Sequence, residues 1–525
     1  MKKENYEFVR YIASNSGTRW ADFDEIKNSP TVSHLNIETD DCQAQMGGIP
    51  IISDGRTVYV DYTDTHSIIF GSTGSKKTRL FGMPLLNILA MSGESFIATD
   101  PKGELYKRTS GFVAAKGYKT VVLDFRDLKK SDLWNPLALP YELHHTGHTE
   151  EAVSLINDLI TALAEPQRIS TKDTYFIDLA CAQALANMLF FIDTATPQEA
   201  NIYNFANFFA TTCSPDITEK LSKLVADGSI ASINYKGVLT NKDVSKTFAN
   251  VSSCVSVMMN PFIIRKTLCQ ALSQSSFDIR SIGETKTAIY IIVPDEKTTL
   301  HFLVTMFIKQ TYEALINVAQ QKADGKLPVR VNFVLDEFAN IPAIPDMPAM
   351  ISAARSRNMR FFLMVQGMRQ LERKYDQDAH TIKGNCDNWV FLTSREIDLL
   401  KEISDLCGEI QYKDSDNSIK SRPIISTSEL QRFKKECGET LILHGRNYPL
   451  VTELPDIDEY NFKKYDPVEI DKHKLPEIVM YDADKVIKSI EDHNRPLPFS
   501  VKVYGKEMYY EKQPEEPKKK DFLDW

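Results

Sequence analysis

A short glycine-rich segment carries the residue types that bind phosphate groups. The letters GSTGSKKT, residues 71–78, follow an apolar run and precede a helical pattern. They match the nucleotide-binding pattern GxxxxGK[ST] except at its sixth position, where Lys76 replaces a glycine. Backbone N–H groups of such a turn cradle phosphate, and the helix N-terminus adds partial positive charge. The segment therefore predicts a phosphate loop in which Lys77 binds the β- and γ-phosphates and the Thr78 hydroxyl binds Mg²⁺.

A second segment supplies the acidic residues that a phosphate loop needs. The letters VNFVLDEF, residues 331–338, form an apolar strand pattern that ends in Asp336 and Glu337. Asp336 would hold the magnesium through water, and Glu337 would orient and deprotonate the attacking water. Each segment alone is a weak signal, but the two together predict ATP and Mg²⁺ as ligands.

Lys76 leaves two interpretations of the loop open. If the position requires a positive φ, a non-glycine residue costs on the order of 1–2 kcal/mol, which a large domain tolerates. Decay to a non-hydrolysing site would be expected to damage Lys77, Thr78 or the acidic pair first, and all of them are intact. The sequence therefore favours a functional variant of the loop over a disabled one.

Two further residues are predicted at the site from their position after a strand pattern. Asp100 and Lys102 lie at the carboxyl end of the apolar run SFIATD, and parallel sheets bind ligands at that edge. The predicted Mg²⁺ ligands are Thr78 and Asp336. The predicted ATP-binding residues are Gly71, Ser72, Thr73, Gly74, Ser75, Lys76, Lys77, Thr78, Arg79, Asp100 and Lys102.

Two blocks of the chain alternate apolar runs of strand length with helical patterns. This alternation predicts an α/β fold with a mostly parallel sheet and helices on both faces. The segment between the blocks shows helical periodicity without a clear strand, which predicts an inserted all-α domain. The predicted boundaries are 1–50 for an N-terminal extension, 51–145 and 281–450 for the two parts of the nucleotide-binding domain, 146–280 for the all-α domain, and 451–525 for a C-terminal extension with a polar tail.

Composition and charge restrict the class of protein. The 525 residues carry a net charge of −9, which excludes a global basic field for nucleic acid, so any such contact must come from a local patch. The eight cysteines include no CxxC pair and fit a reducing cytoplasm. Apolar runs such as AIYIIV, residues 288–293, are too short to span a bilayer, and the amino end has no signal peptide. The sequence predicts a cytoplasmic protein with no transmembrane segment in this chain.

Longer stretches resemble one family of ATPases. Residues 95–137, beginning SFIATDPKGELY, and residues 331–386, beginning VNFVLDEFANI, resemble the coupling proteins of type IV secretion and conjugation, the TraG/TraD-like ATPases. Weaker matches extend the resemblance to most of residues 16–460. The resemblance implies a RecA-like P-loop NTPase with an inserted all-α domain, assembled as a homohexamer around a channel, with ATP bound between neighbouring subunits.

The resemblance also implies roles for individual residues. Lys77 and Thr78 take the phosphate-loop roles, while Asp336 and Glu337 take the magnesium and catalytic roles. Gln366 looks like the polar sensor of the γ-phosphate. Arg355 is similar to the arginine that reaches the neighbouring subunit's ATP, and its other interpretation is a solvated arginine at a helix end.

The resemblance implies DNA and protein partners as well. A basic cluster suits contacts to the phosphates of single-stranded DNA without sequence reading, and it equally suits a solvated face or a subunit contact. Its members are Arg355, Arg357, Arg360, Arg369, Arg373 and Lys374. The all-α domain is expected to bind a relaxase or accessory protein, and a secretion-channel or membrane partner is expected to recruit the chain to the inner face of the bacterial membrane.

Two departures from the family keep alternatives open. Lys76 stands where the family has glycine, and no N-terminal membrane segment is recognised, so the chain is expected to be a soluble member or a shortened one. One alternative is a nucleotide-binding adaptor without efficient turnover. The other is a soluble DNA translocase of the same superfamily that works outside secretion.

Overall fold

The structure is a computed structural model that describes residues 18–38, 47–170, 174–240, 245–294, 298–413, 418–470 and 474–493. The polar tail predicted over residues 511–525 lies outside the described residues. The strands are β1 (Val32–Asn36), β2 (Ile49–Ser53), β3 (Thr57–Asp61), β4 (Ser67–Gly71), β5 (Ser95–Asp100), β6 (Lys119–Asp124), β7 (Thr287–Ile292), β8 (Val331–Leu335), β9 (Met359–Val365), β10 (Asn388–Thr393), β11 (Glu409–Lys413), β12 (Ile419–Pro423), β13 (Glu439–His444) and β14 (Leu450–Glu453).

Helices alternate with strands in the first and last parts of the chain, whereas α4 to α11 follow one another in the middle. They are α1 (Phe23–Lys27), α2 (Met83–Met91), α3 (Glu104–Ala115), α4 (Ala138–His145), α5 (Thr149–Ser170), α6 (Tyr175–Thr194), α7 (Ile202–Thr212), α8 (Pro215–Leu224), α9 (Ile230–Leu239), α10 (Ser245–Ile264), α11 (Lys266–Ala271), α12 (His301–Gln320), α13 (Met347–Ala354), α14 (Met368–Tyr375), α15 (Asp378–Gly384), α16 (Ile397–Cys407), α17 (Thr427–Leu430) and α18 (Ala483–His493).

A nine-stranded sheet forms the centre of the first compact unit, in the order β14-β13-β10-β4-β9-β8-β5-β7-β6. The strands from β10 to β6 are all parallel, and the antiparallel pairings of this sheet, β10 with β13 and β13 with β14, lie at one edge. Every residue of β4, β5, β7, β8 and β9 is buried, because helices cover both faces of a parallel sheet. The predicted α/β fold with a mostly parallel sheet is confirmed.

The described chain divides into two compact units, which are residues 1–136 with 267–477 and residues 137–266 with 478–525. The sequence analysis predicted an all-α segment over 146–280. The second unit instead begins early enough to include α4, and all of α11 except Lys266 belongs to the first unit. Helix starts in the second unit are set by side-chain caps: Asn201, Ser214 and Ser229 each accept a backbone N–H three residues further on.

Two helices of the second unit are long and apolar enough to cross a membrane by length and composition, Tyr175–Thr194 and Lys246–Ile264. The sequence analysis considered shorter apolar runs and did not single out these two helices. Their length and composition are weak support for a membrane segment, because the core helix of a soluble protein has the same length and composition. In α6, buried Gln183 and Asn187 hydrogen-bond to threonines of the same unit at 2.9 Å, as expected for a core helix.

A three-stranded antiparallel sheet, in the order β1-β3-β2, precedes β4 in the first unit. The sequence analysis treated residues 1–50 as an extension and did not predict this sheet. Its strands are short and partly exposed, with Val58 and Val60 of β3 among the buried residues. An alternating pattern over only five residues is a weak signal without its partners.

Candidate nucleotide-binding site

The predicted phosphate loop lies at the carboxyl end of β4, between β4 and the helix that leads into α2. The neighbouring strand β10 fixes the second residue of the loop, since the Ser72 N–H donates to the Thr393 carbonyl at 3.0 Å. A Cβ at Gly71 would lie 2.4 Å from Ser75 Oγ and 2.8 Å from Lys77 Cγ. Glycine is therefore required where the loop begins, because the Ser75 and Lys77 side chains fold back over it.

The helix after the loop begins with a wide turn. Residues Thr78–Gly82 form a turn of π-helix that continues as α2. Pro84 explains the irregularity, because proline lacks the N–H that an α-helix would donate to the carbonyl four residues earlier and its ring crowds that carbonyl. The wide turn carries Thr78 and Arg79 at the mouth of the loop.

Lys76 adopts the left-handed conformation that the sequence analysis considered, with φ of 66°. Gly74, two residues earlier, has φ of 78°. The lysine side chain is 36% exposed, and its Nζ lies 3.9 Å from Asp456 Oδ2. The side chain therefore leaves the loop toward a carboxylate that lies 380 residues further along the chain.

Lys77 points back across the loop. Its Nζ donates to the Gly71 carbonyl at 2.5 Å and lies 3.5 Å from Glu337 Oε1, and only 5% of the side chain is exposed. A buried ammonium beside a carbonyl and a carboxylate is held at a fixed point. The loop lysine and the predicted catalytic acid are thus brought together, as the sequence analysis expected.

Thr78 and Asp336, the predicted magnesium ligands, are in direct contact. Thr78 Oγ1 donates to Asp336 Oδ2 at 2.8 Å. Burial raises the pKa of Asp336 to about 6, although the Thr78 hydrogen bond opposes the rise. The nearby Glu337 and Asp100 carboxylates contribute to this rise in the pKa of Asp336. A carboxyl group in this state is readily converted to its ionised form by a cation placed beside it.

Glu337 lies directly after β8 and has a left-handed backbone, with φ of 52°. Two amides hold its carboxylate: Gln366 Nε2 donates to Oε2 at 2.9 Å and Asn340 Nδ2 donates at 3.2 Å. Gln370 Nε2 in turn donates to Asn340 Oδ1 at 2.5 Å. Gln366 therefore contacts the acid that would activate water, while its predicted role as the sensor of the γ-phosphate stays a prediction.

The residues present fit a magnesium-bound nucleoside triphosphate. Ser75 Oγ is buried and has no hydrogen-bond partner among the described residues, so the loop offers an unsatisfied hydroxyl to a phosphate oxygen. Thr78 and Asp336 are hard oxygen ligands, which Mg²⁺ prefers, and Mg²⁺ completes its shell with water and phosphate oxygens. Within the described residues, no group of three or more His, Cys, Asp or Glu side chains converges as in an all-protein metal site.

Asp100 and Lys102 lie at the predicted edge but face other partners. The Asp100 carboxylate accepts the Tyr106 N–H at 2.8 Å and so caps the start of α3. Burial raises the pKa of Asp100 despite these backbone hydrogen bonds. The Lys102 side chain is exposed, and its carbonyl accepts a hydrogen bond from Arg126 at 3.1 Å. Asp100 influences the site through its charge on Asp336, whereas the described structure gives Lys102 no contact with the loop.

Arg79 is held away from the loop by two carboxylates. Its Nε donates to Asp456 Oδ2 at 2.8 Å, and its Nη2 donates to Asp458 Oδ2 at 2.5 Å. These hydrogen bonds raise the pKa of Arg79 above its ordinary value. Arg79 is thus committed to protein partners, and it is not placed toward the cradle where phosphate would lie.

Arg355 lies at the opposite edge of the sheet from the loop. It precedes β9, whereas Gln366 follows β9, so a seven-residue strand, about 23 Å at ~3.3 Å per residue, separates the two edges. Arg355 pairs with Asp387 at 2.9 Å and with Asp64 at 3.2 Å, which precede β10 and β4. The described chain therefore does not bring Arg355 to its own phosphate loop.

The basic cluster of residues 355–374 does not form one surface. Arg360 is 1% exposed and pairs with Glu94 in the interior. Arg355 and Arg357 lie before β9, while Arg369 and Arg373 lie on α14 after it, at the other edge of the sheet. The interpretation of the cluster as a single patch is wrong, because a buried strand divides it.

Several residues of the site were not predicted from the sequence. Asn340, Asp456 and Asp458 contact Glu337, Lys76 or Arg79, and Glu396 accepts the N–H groups of Met368 and Arg369 at the start of α14. Asn340 had a detectable signal, since it lies three residues after Glu337 in the same motif. The other contacts join residues far apart in sequence and left no local pattern.

Comparisons with known proteins give a family and a fold. Residues 19–436 match the family described as "Type IV secretory system Conjugative DNA transfer". The chain is similar to the protein VirD4 of Rhizobium radiobacter, with 26% identity over 369 residues, or 66% of this chain and 48% of the relative. The chain thus spans about half the length of the VirD4 relatives that it matches.

Solved structures of the plasmid coupling protein TrwB share the fold. Its complex with the non-hydrolysable ATP analogue ADPNP has a TM-score of 0.59 at 12% identity and covers 90% of this chain and 100% of that one. Its complex with ADP and Mg²⁺ has a TM-score of 0.58 at 13% identity and covers 86% of this chain and 95% of that one. The likeness confirms the predicted RecA-like architecture.

Proposed function

Since the chain belongs to the type IV secretory system conjugative DNA transfer family, we propose that it is an ATP-driven coupling protein that delivers DNA or a relaxase–DNA complex to a secretion or conjugation channel. ATP and Mg²⁺ are its cofactors in this proposal, and TrwB, which shares the fold, is solved with ADPNP and with ADP and Mg²⁺. The enzymatic activity is ATP hydrolysis coupled to translocation.

The observation that carries the proposal is the assembly of three parts at one sheet edge. The loop after β4 supplies Lys77 and Thr78, and the end of β8 supplies Asp336 and Glu337. The contacts between them are 2.8 Å from Thr78 to Asp336 and 3.5 Å from Lys77 to Glu337. Gln366 adds a donor from the end of β9 at 2.9 Å from Glu337. A nucleotide-binding module without turnover would not need Glu337 and Gln366 in these positions.

Each side chain has a distinct task in this arrangement. Lys77 binds the terminal phosphates, while Thr78 and Asp336 hold the magnesium, which neutralises the charge of the phosphates when it is bound. Glu337 accepts a proton from the attacking water, and Gln366 and Asn340 fix the carboxylate that receives it. Lys77 and Asp336 are each 5% exposed, so both charged groups are largely shielded from bulk water.

The assembly and partners are proposed on the family's pattern. The working form is a homohexamer, in which Arg355 of one subunit reaches the ATP of its neighbour. Single-stranded DNA is bound without sequence preference, and the all-α unit recruits a relaxase or an accessory protein. The protein works at the cytoplasmic side of the bacterial membrane, where a channel or membrane partner holds it.

ATP turnover measured with and without single-stranded DNA, over a range of protein concentrations, tests the proposal. We expect turnover that rises with protein concentration, because assembly brings Arg355 to the site, and that rises again with DNA. Turnover that depends on neither variable contradicts a DNA-driven ring.

Lys76 supports a second candidate, a nucleotide-binding adaptor without turnover, because its left-handed backbone places strain within the loop. The same experiment separates the two functions. An adaptor binds Mg²⁺–ATP but shows no hydrolysis at any concentration, and Lys76→Gly restores hydrolysis if the lysine disabled the loop. In the translocase, Lys76→Gly changes turnover only modestly.

A further inference from the structure

The segment after β14 runs along the helical face beside the phosphate loop. We call residues 454–470 the C-terminal strap. Its Asn461 N–H donates to the Gly55 carbonyl at 2.9 Å, and its Val468 N–H donates to the Ser110 hydroxyl oxygen at 3.1 Å. The Phe462 ring packs on Phe112 of α3 with centroids 5.4 Å apart. The strap is therefore attached along its length to the unit that carries the loop.

The strap presents Asp456 to the two cations that flank Lys77 and Thr78. Asp456 accepts two hydrogen bonds from Arg79, one of them 2.8 Å from Nε to Oδ2. Lys76 Nζ lies 3.9 Å from the same Oδ2. Asp456 is itself held in place, because its N–H donates to Glu459 Oε2 at 2.7 Å. One ordered carboxylate thus serves both cations.

The two cations are held unequally. Arg79 has two hydrogen bonds to Asp456 and a third to Asp458, which also accepts a hydrogen bond from Arg108. Among the described residues, the Lys76 ammonium has one ion-pair contact, with Asp456, at a distance longer than a hydrogen bond. Arg79 therefore links the strap to the helix after the loop. The weaker contact of Lys76 with Asp456 is the one that a contact between Lys76 and a bound anion can replace.

Lys76 is positioned to contact either Asp456 or a phosphate bound in the loop. Its backbone belongs to the phosphate loop, and its four methylenes reach either outward to Asp456 or back over the loop. A phosphate in the cradle and the Asp456 carboxylate are both anions that compete for this ammonium. A carboxylate close to the loop also opposes an anionic ligand directly.

We propose that Asp456 is the internal counter-anion of the phosphate loop: it holds Lys76 outside the cradle and so lowers the affinity of the site for nucleotide. This inference rests on the proposed function, because it requires the loop to bind a nucleoside phosphate. Asp456 is a positioning residue that acts through Lys76. It explains how a lysine is accommodated in a loop position where the family has glycine.

The test is calorimetric titration of the full-length chain with Mg²⁺–ADP at low ionic strength. Asp456→Asn is expected to bind ADP roughly threefold to tenfold more tightly than wild type, and the gain is expected to shrink at high salt. In steady-state kinetics, the same variant is expected to lower KM for ATP without raising kcat. Asp456→Ser removes the same charge with a smaller side chain and is the second variant. Asp456→Glu keeps the charge and is expected to stay near wild type.

Two further variants isolate the Lys76–Asp456 pair. Asp458→Asn also removes a carboxylate that binds Arg79, but the described structure pairs Asp458 with Arg79 and Arg108 and not with Lys76, so this variant is expected to change ADP affinity less. In a Lys76→Gly background, Asp456→Asn is expected to give less than half of its effect, because no ammonium is left to release. A gain in affinity cannot come from a damaged fold, which would weaken binding.

The outcomes separate this inference from the proposed function. If wild type binds ADP but both Asp456 variants bind it equally or more weakly, Asp456 is not a competing anion and the inference is wrong. An effect of the same size from Asp458→Asn, or in the Lys76→Gly background, overturns the pairing. A wild type that binds no nucleotide overturns the proposed function and this inference with it.

Discussion

Two residues with left-handed backbone face each other across the candidate site. Lys76 in the phosphate loop has φ of 66°, and Glu337 after β8 has φ of 52°. Each costs on the order of 1–3 kcal/mol unless its surroundings hold it. Lys76 is held by Asp456, and Glu337 is held by Lys77, Gln366 and Asn340. Strain is thus concentrated where the phosphates and the attacking water would meet.

The division of tasks between Lys77 and Glu337 gives a prediction for two substitutions. Lys77→Ala is expected to weaken ATP binding by on the order of tenfold to a hundredfold, because a buried ammonium that binds phosphate is lost. Glu337→Gln keeps the side-chain shape and is expected to retain binding while turnover falls roughly a hundredfold or more. Equilibrium binding of an ATP analogue and steady-state hydrolysis measure the two effects. An equal loss of binding in both variants contradicts the assigned roles.

At this scale the sequence predicted the residues that lie in local motifs. Lys77, Thr78, Asp336 and Glu337 were found because a phosphate loop and an acidic strand end each occupy consecutive positions. Asp456 was not found, because its contact with Lys76 depends on where the chain folds back and leaves no trace near either residue. Arg79 was predicted to bind ATP, and its hydrogen bonds to Asp456 and Asp458 are likewise contacts that only the fold creates.

At the scale of elements, long apolar runs were predicted well and short or polar ones were not. The buried parallel strands β4 to β10 appear as continuous apolar runs, so their positions could be predicted. Residues 367–380 form two helices rather than one, because Asp376, with φ of 48°, separates α14 from α15. The C-terminal strap has no regular structure, so its sequence pattern did not predict its place in the folded unit; its contacts with Gly55, Arg79 and α3 show it.

Glycine in α3 permits the close approach of the strap, and this gives a prediction. A Cβ at Gly111 would lie 2.0 Å from the Asp466 carbonyl oxygen. Gly111→Ala is therefore expected to push the strap away and to lower the free energy of unfolding by about 1–3 kcal/mol. Chemical unfolding followed by tryptophan fluorescence measures it, because Trp20, Trp134 and Trp389 all lie in the first unit.

The matched control is another helical glycine in the same unit. A Cβ at Gly384, the last residue of α15, would meet nothing within 4 Å. Gly384→Ala is expected to be neutral or to stabilise by up to about 1 kcal/mol, since alanine restricts the unfolded chain. If Gly111→Ala behaves like this control, the strap does not lie against α3 in solution.

A buried histidine links three elements and makes the first unit sensitive to pH. His66 precedes β4, its Nδ1 accepts the Phe361 N–H of β9 at 3.0 Å, and its Nε2 lies 2.7 Å from the Ile351 carbonyl of α13. Burial lowers the pKa of His66 to about 4 in the folded state, and nearby Arg355 and Arg360 add to the effect. The ring is therefore neutral in the fold and takes up a proton only when the chain unfolds.

The sign of the pH dependence follows from that difference. Between about pH 6.5 and pH 4 the unfolded state binds the proton and the folded state does not, so stability falls as pH falls, by up to about 3 kcal/mol from this residue. His66→Gln is expected to flatten the dependence of the unfolding free energy on pH in this window. His380→Gln, at an exposed position, is the control and is expected to leave the slope unchanged. Identical slopes for wild type and His66→Gln contradict the prediction.

At the scale of the whole molecule, the parallel sheet separates two functional edges. Lys77, Asp336 and Gln366 lie at the carboxyl edge, while Arg355 lies at the amino edge with Asp64 and Asp387. The length of β9, about 23 Å at ~3.3 Å per residue, is too long for an arginine side chain to cross. An assembly in which the amino edge of one subunit meets the carboxyl edge of the next is a head-to-tail arrangement, which closes into a ring when the rotation allows.

Complementation between two inactive variants tests this arrangement. Arg355→Ala is expected to keep nucleotide binding and to lower turnover roughly a thousandfold, because the cation that stabilises the transition-state charge is lost. Glu337→Gln has an intact arginine edge and a disabled site. When the two variants are mixed in equal amounts, an Arg355→Ala site beside a Glu337→Gln subunit has every catalytic group. About a quarter of the contacts in randomly mixed rings are of this kind, so turnover is expected to recover to roughly that fraction of wild type.

Arg357→Ala, two residues further along the same edge, is the matched control and is expected to retain turnover on its own. Recovery must also disappear on dilution below the assembly concentration, since it needs two subunits. If the mixture is no more active than its components, Arg355 does not serve a neighbouring site, and its ion pairs with Asp64 and Asp387 are its whole role.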